Sequence, residues 1–364
     1  MLTITFPRHG AVLNANHGIE NADSLTITVT GTCGSNGIVR VNGIPAGMDG
    51  TTFRAEIPLT SRISTITAVV QGCGGEASAT VKVIWDKASF KRYNFFIEDN
   101  SFFLTELAAQ RPKSLFDHFY LAFLREMHRR YGVKMTLKCF FRNAHDPNGF
   151  TMESMPDCWK SEFEDNSHWL KLAFHALAEF PDRTYQDTSP ENFAADFHKV
   201  NSHIRRFAGE KTLTMPTEIH WCMLSPATQM SLPALGIKCL DGHFMRPLPD
   251  GSGSFCDLGY FLDRPEAQYL QDNLVWHDFS RNLTYTRSSA VCNLLKLEEI
   301  PQAIRRAAEH KTHIISISSH EQYIFPYYHN YQPDHFQRME AAFKTLTENN
   351  ITPVFFNDGF MGNP

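Results

Sequence analysis

Two adjacent acids and three histidines lie at or near the ends of apolar segments, where an enzyme commonly places its reactive groups. Glu98 and Asp99 end YNFFIED, His175 ends LKLAFH, and His220 and His320 lie within TEIHWCML and ISISSHEQY. A buried carboxylate or imidazole is costly unless it has partners. Imidazole and carboxylate together form the usual ligand set of a catalytic zinc ion. The residue types therefore predict a divalent metal site, with a neighbouring acid able to act as a base.

Each of these residues also has a simpler interpretation. Asp99 would serve as the cap of a following helix in a solvated loop. A histidine that ends an apolar run is often a core residue bonded to backbone, and the three histidines would then belong to unrelated hydrogen-bond networks. Glu98 or Asp99 together with Glu321 or Asp358 would also supply the two separated acids of a glycosidase. The sequence alone leaves these alternatives open.

A regular alternation of strands and helices must position these side chains. From about Tyr93 onward, apolar strand-like runs alternate with amphipathic helices, which is typical of a parallel α/β architecture. In a parallel barrel, reactive side chains collect at the C-terminal ends of the strands. No G-x-G-x-x-G turn follows the first strand, so a barrel is favoured over an open dinucleotide-binding sheet. TEIHWCML is predicted to be a strand, and residues 242–295 are predicted to form long surface loops.

The first 85 or so residues have a different pattern. LTITF, SLTITVT, IVRVN, FRAEIPL, ISTITAVV and ATVKVIW are short alternating runs separated by Gly, Asn and Asp turns, which predict a small antiparallel sandwich. We therefore expect two domains, 1–86 and 92–364. The first resembles a bacterial immunoglobulin-like domain, whose topology would bring Cys33 near Cys73. A disulfide and two free thiols are both open.

The bulk composition excludes several classes of protein. The net charge of -5 argues against nucleic acid as the main partner, because binding its backbone requires a concentrated basic surface. No apolar run reaches the roughly 18 residues of a membrane helix, and MLTITFPRHG lacks the features of a secretory signal. We expect a cytoplasmic protein, or an extracellular or periplasmic one if a leader was removed. The chain also lacks Walker A, G-x-S-x-G and H-E-x-x-H motifs.

Six segments of the second domain carry a family resemblance, and they are FIEDN at 96–100, SLFDHFYLAFLREMHRRYG at 114–132, HWLKLAFHA at 168–176, IRRFAGE at 204–210, TEIHW at 217–221 and SHEQYIFPYYHNYQPD at 319–334. In these segments the domain resembles the polysaccharide deacetylases of the NodB-homology superfamily, in particular a bacterial branch with an immunoglobulin-like N-terminal domain. The resemblance covers roughly Arg92 to Phe360. It implies a distorted (β/α)7-type barrel that binds one divalent metal, usually zinc.

The resemblance also implies a ligand set. Asp99 and His175 take the positions of metal ligands. The family usually has a second histidine four residues after the first, where this chain has Glu179. His220 is therefore the expected third ligand, with His320 or Glu179 as alternatives.

The remaining roles concern proton transfer. Glu98 takes the position of the base, although the family usually has the shorter Asp there. His320 fits the general acid, with Glu321 as a group that orients it. The implied reaction removes an N-acetyl or similar acyl group from an N-acetylated oligo- or polysaccharide. A non-catalytic carbohydrate-binding protein on a degenerate barrel and a glycoside hydrolase are the alternatives.

Overall fold

The structure is a computed structural model that describes residues 1–34, 37–72, 75–244 and 259–364. The chain divides into two compact units. The first comprises Met1–Phe90, Val275–Ser280 and Lys311–His313, and the second comprises Lys91–Leu274, Arg281–His310 and Ile314–Pro364. The two short later segments of the first unit interrupt the region that the sequence pattern had assigned to the second domain.

Strands make up most of the described chain up to residue 100, and α-helices occur only after it. The strands are β1 (Leu2–Phe6), β2 (Val12–Leu13), β3 (Gly18–Glu20), β4 (Leu25–Cys33), β5 (Ile38–Val41), β6 (Ile44–Pro45), β7 (Gly47–Asp49), β8 (Thr52–Leu59), β9 (Ile63–Gly72), β10 (Gly75–Trp85), β11 (Arg92–Asn100), β12 (Met135–Phe140), β13 (Leu170–Ala176), β14 (Cys239–Gly242), β15 (Val275–Asp278), β16 (Leu283–Val291), β17 (Ile314–His320) and β18 (Thr352–Pro353). The α-helices are α1 (Phe102–Gln110), α2 (Phe119–Tyr131), α3 (Lys160–Asp165), α4 (Pro190–Ala208), α5 (Pro226–Ser231), α6 (Arg264–Asn273), α7 (Ile300–Ala308) and α8 (His335–Glu348).

The first unit is built from two mainly antiparallel sheets. Their strand orders are β1-β4-β8-β7, with β3 also on β4, and β2-β10-β9-β5-β6. Every second residue of β8 is buried, from Phe53 to Leu59, which is the pattern of a sheet with one face against a core. All six predicted strand runs form strands here. Cys73 lies outside the described residues, and so does its predicted pairing with Cys33.

The second unit contains a parallel sheet with the order β13-β12-β11-β17-β16-β14, and β18 pairs with β11. All nine residues of β11 are buried, as expected for a central strand of a parallel sheet. Helices lie between successive strands along the chain. The α/β class predicted for this part of the chain is confirmed.

Residues 212–217 form hydrogen bonds with both edges of this sheet. The backbone N–H of Leu172, in β13, donates to Thr212, and its carbonyl accepts from Thr214. At the other edge, the N–H of Asp241 in β14 donates to the carbonyl of Thr217. Within the described ranges, β13 and β14 do not pair with each other. One irregular segment therefore bonds to both edge strands.

Two predictions of local structure are wrong. TEIHWCML is not a strand, because the chain turns into a short 3-10 helix at His220–Cys222, where Trp221 and Cys222 have φ values of 64° and 48°. The described part of 242–295 is not only loop, since it contains α6 and β16. β16 is buried but rich in Thr and Ser, so it lacks the apolar run that marks a buried strand. No described helix is long and apolar enough to cross a membrane.

Candidate metal centre

A bulge in β11 lets two adjacent acids face the same end of the sheet. The register of β11 against β12 shifts between Ile97 and Asn100, so β11 carries an additional residue there. Asp99 has a φ of 61°. Regular alternation would send Glu98 and Asp99 to opposite faces, whereas a bulge re-aims a side chain.

Asn100 holds this bulge in place. Its side-chain Nδ2 donates to the backbone carbonyls of Ile97, at 2.6 Å, and Lys138, at 3.0 Å. The hydroxyl of Tyr120 donates to its Oδ1 at 3.0 Å. Because Asn100 is fully buried, these bonds fix the backbone at Asp99 without help from solvent.

His175 lies at a second bulge. Cys139 in β12 is opposite Phe174, but the next residue, Phe140, is opposite Ala176. His175 is therefore the additional residue of β13. Its side chain is completely buried and points to the same place as Asp99.

His220 completes a triangle of ligand atoms. Asp99 Oδ1 lies 3.0 Å from His175 Nε2, His175 Nε2 lies 3.1 Å from His220 Nδ1, and Asp99 Oδ1 lies 3.5 Å from His220 Nδ1. Ligands bonded at 2.0–2.1 Å to a tetrahedral zinc ion would be about 3.3 Å apart. One ring nitrogen carries at most one proton, so hydrogen bonding alone does not satisfy all three pairs. The three buried side chains fit a metal ion.

The other ring nitrogens of the two histidines face oxygen atoms, as is usual behind a metal. His220 Nε2 lies 3.1 Å from the carbonyl of Glu179, and His175 Nδ1 lies 3.5 Å from Glu218 Oε2. Burial lowers the pKa of His175 to about 4. Burial raises the pKa of Asp99, but the His175 hydrogen bond and the nearby imidazoles outweigh it and hold the pKa below its ordinary value. At neutral pH, His175 and Asp99 therefore have the protonation states that bind metal.

A buried contact between Lys138 and Glu218 supports the centre from behind. Lys138 Nζ lies 3.1 Å from Glu218 Oε2, and the two side chains are 0% and 1% exposed. The ammonium also lies 3.2 Å from the ring centroid of Phe96. Glu98, His175 and Glu218 form a second group with metal-ligand chemistry, but the charge of Lys138 beside Glu218 disfavours a second cation there.

The two carboxyl groups of this region differ in their protonation. Burial raises the pKa of Glu218 well above its ordinary value, and the neighbouring Glu98 raises it further. Burial also raises the pKa of Glu98, but His320 and Lys138 outweigh it, and the pKa falls below its ordinary value. Two buried carboxyl groups close to each other do not both ionise, so the pKa of one rises while that of the other falls. Glu98 is therefore the ionised member.

His320 lies beside Glu98. The two residues are aligned in the register of β11 and β17, and His320 Nε2 lies 3.8 Å from Glu98 Oε2. His320 Nδ1 lies 2.9 Å from Asn293 Oδ1. An amide oxygen only accepts, so Nδ1 carries a proton and Nε2 faces the carboxylate.

Glu321 does not orient His320. Its carboxylate instead accepts three backbone N–H bonds, from Ser101, Phe102 and Phe103, at 2.7, 2.9 and 2.6 Å. These are the first amides of α1. Burial raises the pKa of Glu321 to about 8, although its bonds to these amides oppose the rise. Glu321 is thus placed as a buried anchor of this helix, and Asn293 has the orienting position that the sequence interpretation had assigned to Glu321.

The metal triad opens into a pocket of about 250 Å³. Glu179 lines it, but its carboxylate accepts a bond of 2.7 Å from Gln322 Nε2 and contacts His145 rather than the triad. The alternative of Glu179 as a ligand therefore has no support in its contacts. The lining residues are Glu98, Asp99, Glu179, His220, Trp221, Cys222, His243, Asn293, Leu294, His320, Gln322, Tyr323 and Tyr328.

The sequence interpretation missed Lys138, Glu218 and Asn293. Lys138 interrupts the apolar run VKMTLKCFF, and Glu218 directly precedes a short apolar stretch. Charged residues in such positions need buried partners, so both carried a signal. Asn293 has none, because it follows a strand that the sequence did not predict.

Comparisons with known proteins give no family. No family model matches the chain, and no curated protein matches it. Two structures of Bacteroides uniformis β-glucuronidases, one covalently bound to cyclophellitol-6-carboxylate aziridine, align with 26% of this chain and 11% of theirs, at 14% identity and a TM-score of 0.19. The titin domains Z1Z2 in complex with telethonin align with 28% of this chain and 58% of theirs, at 11% identity and a TM-score of 0.18. The aligned parts span less than two thirds of each neighbour, and such low similarity carries no argument about function.

Proposed function

We propose that the chain is a metal-dependent hydrolase that removes N-acetyl or similar acyl groups from a carbohydrate. The observation that supports this most strongly is the triangle of Asp99, His175 and His220, whose ligand atoms have the spacing of a tetrahedral zinc site. Three protein ligands leave one position open, as catalytic sites require.

The residues around the triad suit hydrolysis of an amide. A bound zinc ion would supply a Lewis acid that polarises the acyl carbonyl and acidifies a water molecule. Glu98 is ionised and lines the pocket, so its carboxylate accepts the proton of the attacking water. Glu98 is one methylene longer than the Asp expected from the deacetylase resemblance, and the bulge at Asp99 determines where its carboxylate lies.

His320 would complete the proton transfer. Its Nε2 lies 3.8 Å from Glu98 Oε2, and Asn293 fixes the other ring nitrogen. The proton collected by Glu98 can pass to His320 and then to the leaving amine nitrogen. In this proposal one acid–imidazole pair serves as both base and acid, which yields acetate and a free amino sugar.

The direct test is acetate release from a panel of N-acetylated oligosaccharides by zinc-loaded and chelator-treated protein. We expect release only with metal, and restoration when zinc is returned. Carbohydrate binding without acetate release would indicate the non-catalytic alternative. Release of reducing sugar without acetate would indicate a glycoside hydrolase. Metal-free protein that still releases acetate would rule out the proposal.

The finer fold prediction belongs to the same proposal. It makes the second unit a distorted (β/α)7-type deacetylase barrel and the first an immunoglobulin-like domain. The backbone bonds of residues 212–217 with both edge strands support the barrel, and the two packed sheets support the immunoglobulin-like classification.

A further inference from the structure

A second pocket lies beside the loops that follow β12 and β13. It has a volume of about 360 Å³, within the range of small-ligand sites. Most of its lining is apolar, and its polar groups are Thr184 and two cations. The lining residues are Phe141, Arg142, Leu177, Ala178, Phe180, Pro181, Thr184 and Lys199.

One short segment separates this distal pocket from the metal pocket. Ala178 and Phe180 line the distal pocket, whereas Glu179 between them lines the metal pocket. His145 contacts the Glu179 carboxylate, and its ring centroid lies 5.8 Å from that of Phe180. An oligosaccharide that crosses this segment would contact both pockets.

The wall of the distal pocket combines an exposed ring with two cations. Phe180 is 49% exposed, which is high for so large an apolar side chain. Lys199 Nζ lies 3.9 Å from the ring centroid of Phe141. Within the described part of the chain, neither Arg142 nor Lys199 forms an ion pair with a carboxylate. Asp196, one turn earlier on α4 than Lys199, accepts a bond of 3.2 Å from Tyr185. Burial raises the pKa of Asp196, and this bond and the charge of Lys199 oppose the rise.

This chemistry selects one kind of occupant. Two cations disfavour a metal ion, and apolar walls offer little to a small inorganic anion. A pyranose ring with a carboxylate would place the apolar face formed by its C–H groups on Phe180 and its charge near Arg142 and Lys199, whose side chains bind carboxylates. The whole chain carries a net charge of -5, so attraction of an anion must come from such a local cluster.

We propose that the distal pocket binds a sugar-acid unit of the same saccharide chain whose acylated unit enters the metal pocket. This inference rests on the proposed function, which places the acylated sugar of the same saccharide in the metal pocket. It narrows the substrate class from N-acetylated carbohydrate to an acidic N-acetylated polysaccharide.

The test compares two matched ligands by calorimetry. One is a tetrasaccharide in which N-acetylglucosamine alternates with glucuronic acid, and the other is the same compound with its carboxyl groups reduced to alcohols. We expect the acidic compound to bind about tenfold more tightly, because a charge-assisted contact is lost from the reduced one. Equal affinities would overturn the proposal.

Variants test whether Arg142 and Lys199 cause the preference for the acidic ligand. Arg142→Gln/Lys199→Gln should remove the preference for the acidic ligand, and both positions are exposed, so folding is expected to persist. The matched control is Arg129→Gln/Lys344→Gln, which removes the same charges at exposed positions on α2 and α8. Loss of the preference in the control, or its retention in the pocket variant, would contradict the assignment. Phe180→Ala should weaken both ligands equally.

The two proposals fail separately. Binding is measured on chelator-treated and zinc-loaded protein, and the preference should be the same in both. If no acetate is released but the preference depends on Arg142 and Lys199, the pocket assignment stands and the hydrolase proposal fails. If both ligands are hydrolysed and bound equally, the hydrolase proposal stands and the pocket assignment fails.

Discussion

Asp99 Oδ1 lies 3.0 Å from His175 Nε2, although β12 separates the two strands that carry them. Side chains of equivalent residues two strands apart would start roughly 9–10 Å from each other. The distance closes because β11 and β13 both bulge against β12, at Asp99 and at His175. The candidate metal centre is therefore a product of two irregularities in an otherwise regular sheet.

Asp99→Asn should abolish metal binding while leaving the fold intact. The amide preserves the volume of the carboxylate but removes the negative charge that faces His175 and His220. We expect zinc content to fall from about one ion per chain to a trace, as measured by elemental analysis after dialysis. Glu126→Gln, at an exposed position on α2, is the control and should keep its metal. Full occupancy in Asp99→Asn would refute the assignment.

His320→Gln should reduce turnover and spare the metal. A positioned acid–base group contributes about 10²–10⁴-fold to rate, so kcat should fall by that order while zinc content stays constant. Asn293→Leu should produce a smaller loss of kcat with little change in KM, because it removes only the partner of His320 Nδ1. If Asn293→Leu changes KM alone, it contacts substrate instead of orienting the imidazole.

Lys138→Met should destabilise the protein severely. The substitution removes the ammonium that bonds to Glu218 and that lies close enough to lower the pKa of the ionised Glu98, and a buried charge left without its partner costs about 3–5 kcal/mol in the free energy of unfolding. Lys138→Met/Glu98→Gln should recover much of that loss, since it removes the buried cation and the ionised carboxylate together. The free energies of unfolding of the unmodified protein, the single variant and the double variant are measured by chemical denaturation. Lys344→Met, at a position that is 63% exposed, is the control and should change stability by less than about 0.5 kcal/mol.

Glu321→Ala should behave as a stability variant. It deprives three backbone N–H groups at the start of α1 of their acceptor, and each unsatisfied buried group costs about 1–3 kcal/mol. Glu321→Gln keeps an acceptor oxygen, so its thermal stability should lie between that of Glu321→Ala and that of the unmodified protein. A variant of unchanged thermal stability whose turnover is lost would instead restore the catalytic role that the sequence suggested for Glu321.

His335 should make the fold sensitive to acid. Its Nε2 lies 2.9 Å from Ser319 Oγ, and burial, with neighbouring His320 and Arg338, lowers its pKa from 6.5 to about 3. Between these values the unfolded chain binds a proton that the folded chain does not. The free energy of unfolding therefore falls as pH drops from 6.5 toward 3, by up to about 1.4 kcal/mol per pH unit.

His335→Gln retains a hydrogen-bonding group for Ser319 but does not titrate. Its midpoint of thermal unfolding should consequently depend less steeply on pH across this window. His198→Gln, at an exposed position on α4, is the control and should follow the unmodified protein. Parallel curves for His335→Gln and the unmodified protein would show that another group carries the acid sensitivity.

Local signals predicted much of the framework. The sequence spacing of Ser114 and Asp117 is that of a capping box, which they form around the 3-10 turn Leu115–Asp117 just before α2. Ser189 precedes a proline, a typical helix start, and its side chain caps α4. The apolar residues of α4 recur at helical spacing in the sequence, and they are buried, including Phe193 and Phe197. Such features depend on residues a few positions apart, so they can be read from the sequence.

The features that could not be predicted depend on contacts between residues that are far apart in the sequence. A bulge is defined by register against a partner strand, so nothing near Asp99 marks it in the sequence. Glu321 follows His320 directly, yet neighbours at the end of a strand face different surroundings, and it anchors α1 instead. The Thr and Ser side chains of β16 conceal a buried strand, because their partners, among them Asp241, lie far away in the chain.

The backbone bonds of residues 212–217 have a consequence for association. A free sheet edge presents unpaired amides and carbonyls on which another chain can assemble. Here a stretch of the same polypeptide occupies part of both margins, at Leu172 and at Asp241. Shortening this stretch would leave both edge strands with unpaired backbone groups and favour aggregation, even in a variant that keeps every side chain of the metal pocket.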